Sequence, residues 1–167
     1  VIVSAFRSPI GNFLGSFSKS SAVELAVPVI QHSLQNTGIK TDEVCEVILG
    51  QVLTTATGQN PARQSAIKSG LSETIPALTI NQVCGSGLRS VMLGANQIKT
   101  GDAKIVIAGG QDSMSNAPHA IQMRNGLKMG NGSLIDVMIH DGLTDIFNNY
   151  HMGITAENIA EQFNISK

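Results

Sequence analysis

Short apolar segments alternate with helical patterns through most of the chain, and this alternation constrains the fold more than any other feature. Four apolar segments have the length of buried strands: residues 1–5, 47–52, 77–83 and 104–108. The last reads Lys-Ile-Val-Ile-Ala, apolar at its centre, as expected of a strand buried on both faces. The sequence therefore predicts an α/β fold, with a mostly parallel sheet covered by helices and right-handed crossovers.

Residues that cap helices predict where two of the helices begin. Ser21 and Glu24 have the spacing of a capping box. Pro28 lies inside the helical pattern that follows, so it should either kink that helix or delay its start. Asn60 and Pro61 supply an N-cap residue followed by a proline at the first helical position.

The alternation stops near Asn116, where glycines, methionines and amides replace the long periodic runs. We therefore assign residues 1–115 to a βαβαβαβ core and residues 116–167 to the beginning of a second, irregular lobe. The chain starts within an apolar strand pattern without methionine and ends within a helical pattern. We expect it to be a portion of a longer protein.

Composition narrows the class of protein. The 167 residues are 42% hydrophobic and 14% charged, which is typical of a globular domain. A net charge of −1 gives no electrostatic reason to expect nucleic acid or an anionic membrane as a partner. No apolar run approaches the roughly 18–20 residues that span a bilayer. Two widely spaced cysteines make no disulfide framework and favour a reduced, cytoplasmic setting, and four scattered histidines predict no metal site.

Cys84 lies where a predicted buried strand ends and a predicted helix begins. The free N–H groups and the dipole of a helix N-terminus favour a thiolate and can stabilise the oxyanion of an attacked carbonyl. Gly85 and Gly87 should leave the backbone open to a bulky substrate. The residues alone support a nucleophile and a small core cysteine about equally. Cys45 lies among acidic residues that should raise the pKa of its thiol, so we expect it to be inert.

The same segment supports a second hypothesis. Residues 85–90 are close to the glycine-rich fingerprint of dinucleotide-binding proteins, and Asp112, at the end of the next strand, could bind a ribose. The match is imperfect because Ser90 stands where the last glycine belongs and Asp112 lies somewhat too far along the chain. The residues alone leave an NAD-type oxidoreductase open.

Six segments resemble the thiolase family, in order and along the whole chain. The resemblance implies the N-terminal half of a thiolase-like layered fold. It also implies an acetyl-CoA C-acetyltransferase that forms or cleaves acetoacetyl-CoA through a cysteine thioester. Asp112 departs from the family, which usually has glutamate there. The six segments are residues 4–11, 58–64, 81–87, 108–115 (with Pro118), 141–145 and 151–158.

The resemblance also assigns roles to particular residues. Cys84 would be the nucleophile, and its backbone N–H would contribute to an oxyanion hole. Leu143, His151 and Met152 would line the side of the pocket that holds pantetheine and coenzyme A. For Leu143 and Met152, plain core packing is nearly as well supported, and for His151 the alternative is a hydrogen-bonded structural histidine. Coenzyme A thioesters would be the substrates, with no separate cofactor, and residues 119–138 would assemble dimers or tetramers.

Thiolases carry further catalytic groups that residues 1–167 lack: a Gly-His-Pro histidine, a water-binding asparagine and a second cysteine in a Cys-x-Gly motif. We therefore expect an active full-length enzyme and an inactive isolated chain, whose apolar sheet face would normally pack against a homologous second half. Two alternatives stay open. One is a ketosynthase-type condensing enzyme, against which residues 151–158 argue, and the other is a non-catalytic assembly module from a truncated thiolase.

Overall fold

The computed structural model describes residues 1–166. The chain divides into two compact units, Val1–Asn116 and Ala117–Lys167. In the first unit three α-helices and three strands alternate among the described residues, with short 3-10 turns at Thr41–Glu43 and Met114–Asn116. The helices and strands are α1 (Ala22–Thr37), β1 (Glu46–Gly50), α2 (Pro61–Lys68), β2 (Ala77–Ile80), α3 (Ser86–Thr100) and β3 (Val106–Gly110).

The three strands form a parallel sheet in the order β2-β1-β3. Val47 and Leu49 of the central strand join the core that α1 and α2 cover. Ile48 is one residue out of phase, so it points to the opposite face, where it lies near Leu93 of α3. Helices thus flank both faces, and the predicted α/β fold with a parallel sheet is confirmed.

The strand predicted at residues 1–5 is absent. Val1, Ile2 and Val3 are all exposed to solvent. A strand is stable only where a neighbouring strand pairs with its N–H and C=O groups, and no described strand lies beside this segment. The βαβαβαβ core predicted for residues 1–115 is therefore αβαβαβ in the structure.

The predicted helix starts are confirmed. Ser21 Oγ accepts the Glu24 N–H at 3.2 Å, and the Glu24 carboxylate accepts the Ser21 N–H at 2.8 Å, which completes the capping box. Pro28 does not delay the helix, because α1 begins directly after Ser21 and runs through the proline. Pro28 has no N–H to pair with a carbonyl of the preceding turn, and because Pro28 is exposed, water can reach that carbonyl. Asn60 Oδ1 accepts the Arg63 N–H at 3.2 Å and caps α2.

Helix α3 contacts the sheet through small residues. Ser86, Ser90 and Gly94 are its buried positions, and a Cβ atom added to Gly94 would lie 3.0 Å from a β3 side chain. Three large apolar residues of the helix face outward: Leu88, Met92 and Ile98, which are 70, 49 and 40% exposed. The close approach of helix and strand therefore depends on residues with little or no side chain.

The second unit consists of short elements. Two small antiparallel hairpins precede its longest helix, and a π-helical turn, Met138–Leu143, separates them. Across the part of the chain that the structure describes, no helix combines the length and apolar character that crossing a membrane requires. The hairpins are β4 (His119–Ala120) with β5 (Ile135–Asp136) and β6 (Thr144–Asp145) with β7 (Tyr150–His151), and the helix is α4 (Met152–Phe163).

Candidate active site

Cys84 lies in the turn between β2 and α3. Strand β2 ends at Ile80 and the helix begins at Ser86. The cysteine is an exposed free thiol, which does not fit the alternative of a small core residue. The structure therefore places the cysteine at the predicted strand-to-helix turn and, of the two interpretations that the sequence left open, favours the exposed thiol.

The residue before Cys84 has a strained backbone. Val83 has a φ of 49°, in the left-handed region. A β-branched side chain rarely adopts this conformation, which costs on the order of 1–3 kcal/mol. The Val83 N–H donates to Asn81 Oδ1 at 2.8 Å. Strain of this kind persists only where the surrounding structure holds it, and it concentrates at functional sites. The turn thus resembles the strained strand-to-helix elbow that presents nucleophiles in hydrolases.

The Ser86 side chain connects both sides of this turn. Its hydroxyl donates to the Val83 carbonyl oxygen at 2.6 Å and accepts the Gln82 N–H at 2.8 Å. The Ser86 N–H donates to the same Val83 carbonyl at 3.1 Å. The residue is 3% exposed, so these bonds are shielded from water. Sequence reasoning missed this residue, although short polar side chains three positions before and two positions after the cysteine were a signal for it.

Glycines allow the start of α3 to approach the ends of the strands. A Cβ atom added to Gly50 would lie 2.5 Å from Ser86 Cβ, and one added to Gly110 would lie 3.1 Å from Gly87 Cα. Gly87 therefore faces β3, and the prediction that it opens the approach to the sulfur is wrong. Gly85 is exposed and remains on the open side of the turn.

Two N–H groups at the start of α3 are already used. Those of Gly85 and Ser86 donate to the carbonyls of Gln82 and Val83, both at 3.1 Å. None of residues 1–166 accepts a hydrogen bond from the Cys84 N–H, which leaves that group for an oxyanion. The positive end of the dipole of the 15-residue helix also lies at this turn.

Asp112 is part of the scaffold at the same end of the sheet. Its carboxylate accepts the Val52 N–H at 3.1 Å and the Leu53 N–H at 3.0 Å. Although the residue as a whole is exposed, burial of the carboxylate raises its pKa, and the Leu53 and Val52 N–H donors oppose that rise. A ribose-binding acid needs free oxygens, so this geometry argues against the dinucleotide hypothesis.

The first unit places no base on the Cys84 thiol. Within its described residues no side chain hydrogen-bonds to this sulfur. The histidine of this unit, His32, packs edge-on against Phe6, with ring centroids 4.4 Å apart. The thiol is therefore exposed to an incoming substrate. The base that would take up its proton is not among the side chains that contact the sulfur in this unit.

The three residues predicted to bind coenzyme A occur together in the second unit, whereas Cys84 lies in the first. Thr144 pairs with His151, and Leu143 directly precedes β6 while Met152 directly follows β7, so both flank the open end of the hairpin. Leu143 is half-buried, and the other two are exposed. His151 Nδ1 accepts the Gly153 N–H at 2.9 Å and caps α4, so the proton of the neutral ring lies on Nε2.

Cys45 differs from its prediction. The backbone N–H groups of Ile105 and Lys104 lower the pKa of its thiol, and the Lys104 N–H lies 3.4 Å from Sγ. The prediction of a raised pKa considered only acidic sequence neighbours. The fold instead brings the residues that precede β3 against the sulfur, and their amides favour the thiolate.

Comparison with known proteins gives consistent matches over the whole chain. The family model described as thiolase, N-terminal domain, matches residues 1–167. An acetyl-CoA acetyltransferase of Cupriavidus necator is 56% identical over 168 residues, covering 100% of this chain and 43% of that protein. One of Paracoccus denitrificans is 58% identical over 167 residues, with the same two coverages. A probable acetyl-CoA acetyltransferase of Escherichia coli is 54% identical, and the chain again spans 43% of its length.

Proposed function

The chain belongs to the thiolase family, as its match to the N-terminal domain shows, and on this premise we propose that the whole protein is an acetyl-CoA C-acetyltransferase. It would form or cleave acetoacetyl-CoA through an acyl group carried on Cys84. The observation that carries the proposal is the exposed thiol in a strained turn at the N-terminus of α3. Because the chain spans 43% of its curated relatives, the activity is assigned to the whole protein.

The first step is acylation of Cys84. Its thiolate attacks the thioester carbonyl of an acyl-CoA, and a sulfur–carbon bond forms as the carbonyl becomes an oxyanion. The Cys84 N–H donates to that oxyanion. When the tetrahedral intermediate collapses, the bond to the CoA sulfur breaks and CoA leaves with a proton.

The second step joins two carbons. A base removes a proton from the methyl group of acetyl-CoA, and the carbanion attacks the acyl group on Cys84. The thiolate of Cys84 leaves, and acetoacetyl-CoA results. In the opposite direction Cys84 attacks the 3-keto carbon of acetoacetyl-CoA, acetyl-CoA leaves, and CoA removes the acetyl group.

Both steps need a group that transfers protons, and the described residues place none on Cys84. We assign these roles to the Gly-His-Pro histidine and the Cys-x-Gly cysteine of thiolases, which residues 1–167 do not contain. The isolated chain is accordingly inactive. Activity of a purified protein of residues 1–167 would contradict this assignment.

Leu143, His151 and Met152 are proposed to contact the pantetheine arm of coenzyme A. Support comes from their common position at one end of the β6–β7 hairpin and from the exposure of His151 and Met152. Because Nδ1 of His151 is used to cap α4, Nε2 is the atom that can donate to the ligand. Replacing His151 should therefore affect both CoA binding and the start of this helix.

The segment between β4 and β5 is proposed to assemble a homodimer or tetramer. Its apolar side chains are exposed, a pattern that marks contact surfaces. The exposed side chains of this segment are Ile121, Met123, Leu127, Met129 and Leu134, each at least 41% exposed.

Both cysteines are free thiols, which supports a reducing, cytoplasmic setting.

Thiolysis of acetoacetyl-CoA by the full-length protein tests the proposal. We expect CoA-dependent cleavage, abolished by Cys84→Ala and retained in the matched control Cys45→Ala. Transfer from a carrier-protein thioester, but not from a CoA thioester, would instead indicate a ketosynthase-type enzyme. Equal loss of thiolysis activity in both cysteine variants would contradict the assignment of Cys84 as the nucleophile.

A further inference from the structure

A buried serine two residues after the nucleophile both donates and accepts a hydrogen bond within the turn. Ser86 is 3% exposed, and its hydroxyl bridges the Val83 carbonyl and the Gln82 N–H at 2.6 and 2.8 Å. Its proton is committed to one side of the turn and a lone pair to the other. Because the residue is buried and its one proton is taken by the Val83 carbonyl, the hydroxyl cannot donate to a substrate and serves to hold the backbone.

We infer that Ser86 is the positioning residue of Cys84: its hydroxyl holds Val83 in the left-handed conformation that presents the thiol to an acyl-CoA. The inference rests on the proposed function, because it concerns the reaction of that thiol. It adds a residue that touches neither the substrate nor the sulfur.

The location of Ser86 makes its hydroxyl an effective anchor. Its Cβ lies against Gly50 at the end of β1, so closely that a Cβ atom on that glycine would be 2.5 Å away. The serine is thus fixed to the sheet, and through its hydroxyl it fixes the two residues before the cysteine. Without the hydroxyl the Gln82 N–H loses its acceptor, and the Val83 carbonyl keeps only the Ser86 N–H at 3.1 Å.

The strain at Val83 determines what happens next. A valine at a φ of 49° lowers its free energy by returning to the extended region once nothing holds it. That rotation changes the direction of the following residue. A displacement of about 1 Å in a reacting group lowers a rate by about 100-fold. We therefore expect Ser86→Ala to slow acylation of Cys84 by about 10- to 100-fold.

The test measures single-turnover acetylation of Cys84 in the full-length protein by mass spectrometry. The matched control is Ser90→Ala. Ser90 is another buried serine of α3, and its one hydroxyl proton is shared between the carbonyl oxygens of Gly87 and Gly109, which lie 2.6 and 2.7 Å from Oγ. This variant loses an equivalent buried hydroxyl without touching the turn, so its acetylation rate should stay within about 3-fold of the wild type.

A second substitution separates positioning from general destabilisation. Asparagine tolerates the left-handed region far better than valine, and Val83 is 47% exposed, so a polar side chain fits there. Val83→Asn should therefore restore at least about a third of the rate that Ser86→Ala loses. Alkylation of Cys84 by iodoacetamide, which needs only an accessible thiol, should change less than acetylation.

The outcomes discriminate among the claims. Equal rates for Ser86→Ala and Ser90→Ala, with normal acetylation of the wild type, would overturn the inference and leave the proposed function intact. A loss that Val83→Asn does not rescue, with acetylation and alkylation reduced equally, would show a merely structural serine. A wild type that is not acetylated on Cys84 would refute the proposed function and the inference together.

Discussion

The contact between Gly50 and the start of α3 yields a prediction whose magnitude follows from the geometry. In Gly50→Ala, the new Cβ would lie 2.5 Å from both the carbonyl carbon and Cβ of Ser86 and 2.7 Å from the Gly87 nitrogen. An ordinary contact at such a position needs about 3.4 Å or more, so the helix start must move by roughly 1 Å. Because most of these atoms are backbone, no side-chain rotation can relieve the clash.

Two effects follow from that displacement. Overpacking of this kind lowers the free energy of unfolding by about 1–3 kcal/mol. A shift of roughly 1 Å in the turn that carries Cys84 should slow its acetylation by about 100-fold. The assays are urea denaturation of the full-length protein and single-turnover acetylation by acetyl-CoA, followed by mass spectrometry.

Gly109→Ala is the matched control, because a Cβ atom on this β3 glycine would meet only Leu49 Cδ2, at 3.8 Å. This is ordinary van der Waals contact, and both measurements should stay near the wild type. The reasoning would be refuted if Gly50→Ala behaved like Gly109→Ala. It would also be refuted if Gly50→Ala lost stability yet kept its full acetylation rate.

Three further predictions concern caps and carboxylates. Ser21→Ala should lower the free energy of unfolding by about 1 kcal/mol, and an unchanged urea midpoint would contradict the cap. The Ser21 N–H and hydroxyl lower the pKa of Glu24, so the stability that the Glu24 carboxylate contributes is lost as pH falls through that pKa. Glu24→Gln should therefore make the free energy of unfolding fall less steeply toward acid pH. Parallel pH curves for Glu24→Gln and the wild type would contradict this prediction. The raised pKa of Asp112 means that its ionisation costs stability as pH rises, so Asp112→Asn, which keeps an acceptor, should gain on the wild type as pH rises above the ordinary carboxyl pKa of about 4. Urea titrations that show no such gain would contradict it.

The elements set by local chemistry could be predicted from the sequence. The Ser21–Glu24 capping box and the Asn60–Pro61 helix start depend on residues a few positions apart, and both occur in the structure. The parallel sheet followed from apolar segments separated by helices. The prediction of a strand at residues 1–5 was wrong because a strand also needs a neighbouring strand, and an apolar pattern does not show whether one is present.

The candidate site was predicted only in part. The place of Cys84 followed from the order of strand, glycine and helix signals. Ser86 was missed although short polar residues flank the cysteine, because its role depends on the left-handed conformation of Val83, which a valine does not indicate. The thiol of Cys45 was misjudged because the amides of Ile105 and Lys104 reach it through the fold and not through the sequence.

The central claim is that Cys84 carries the acyl group, and one measurement tests it most directly. The full-length protein is incubated with acetyl-CoA, and its intact mass and peptide map are recorded. The account predicts one acetyl group, on Cys84, and none on Cys45. Acetylation of Cys45 alone, or no acetylation of a folded full-length protein, would contradict it.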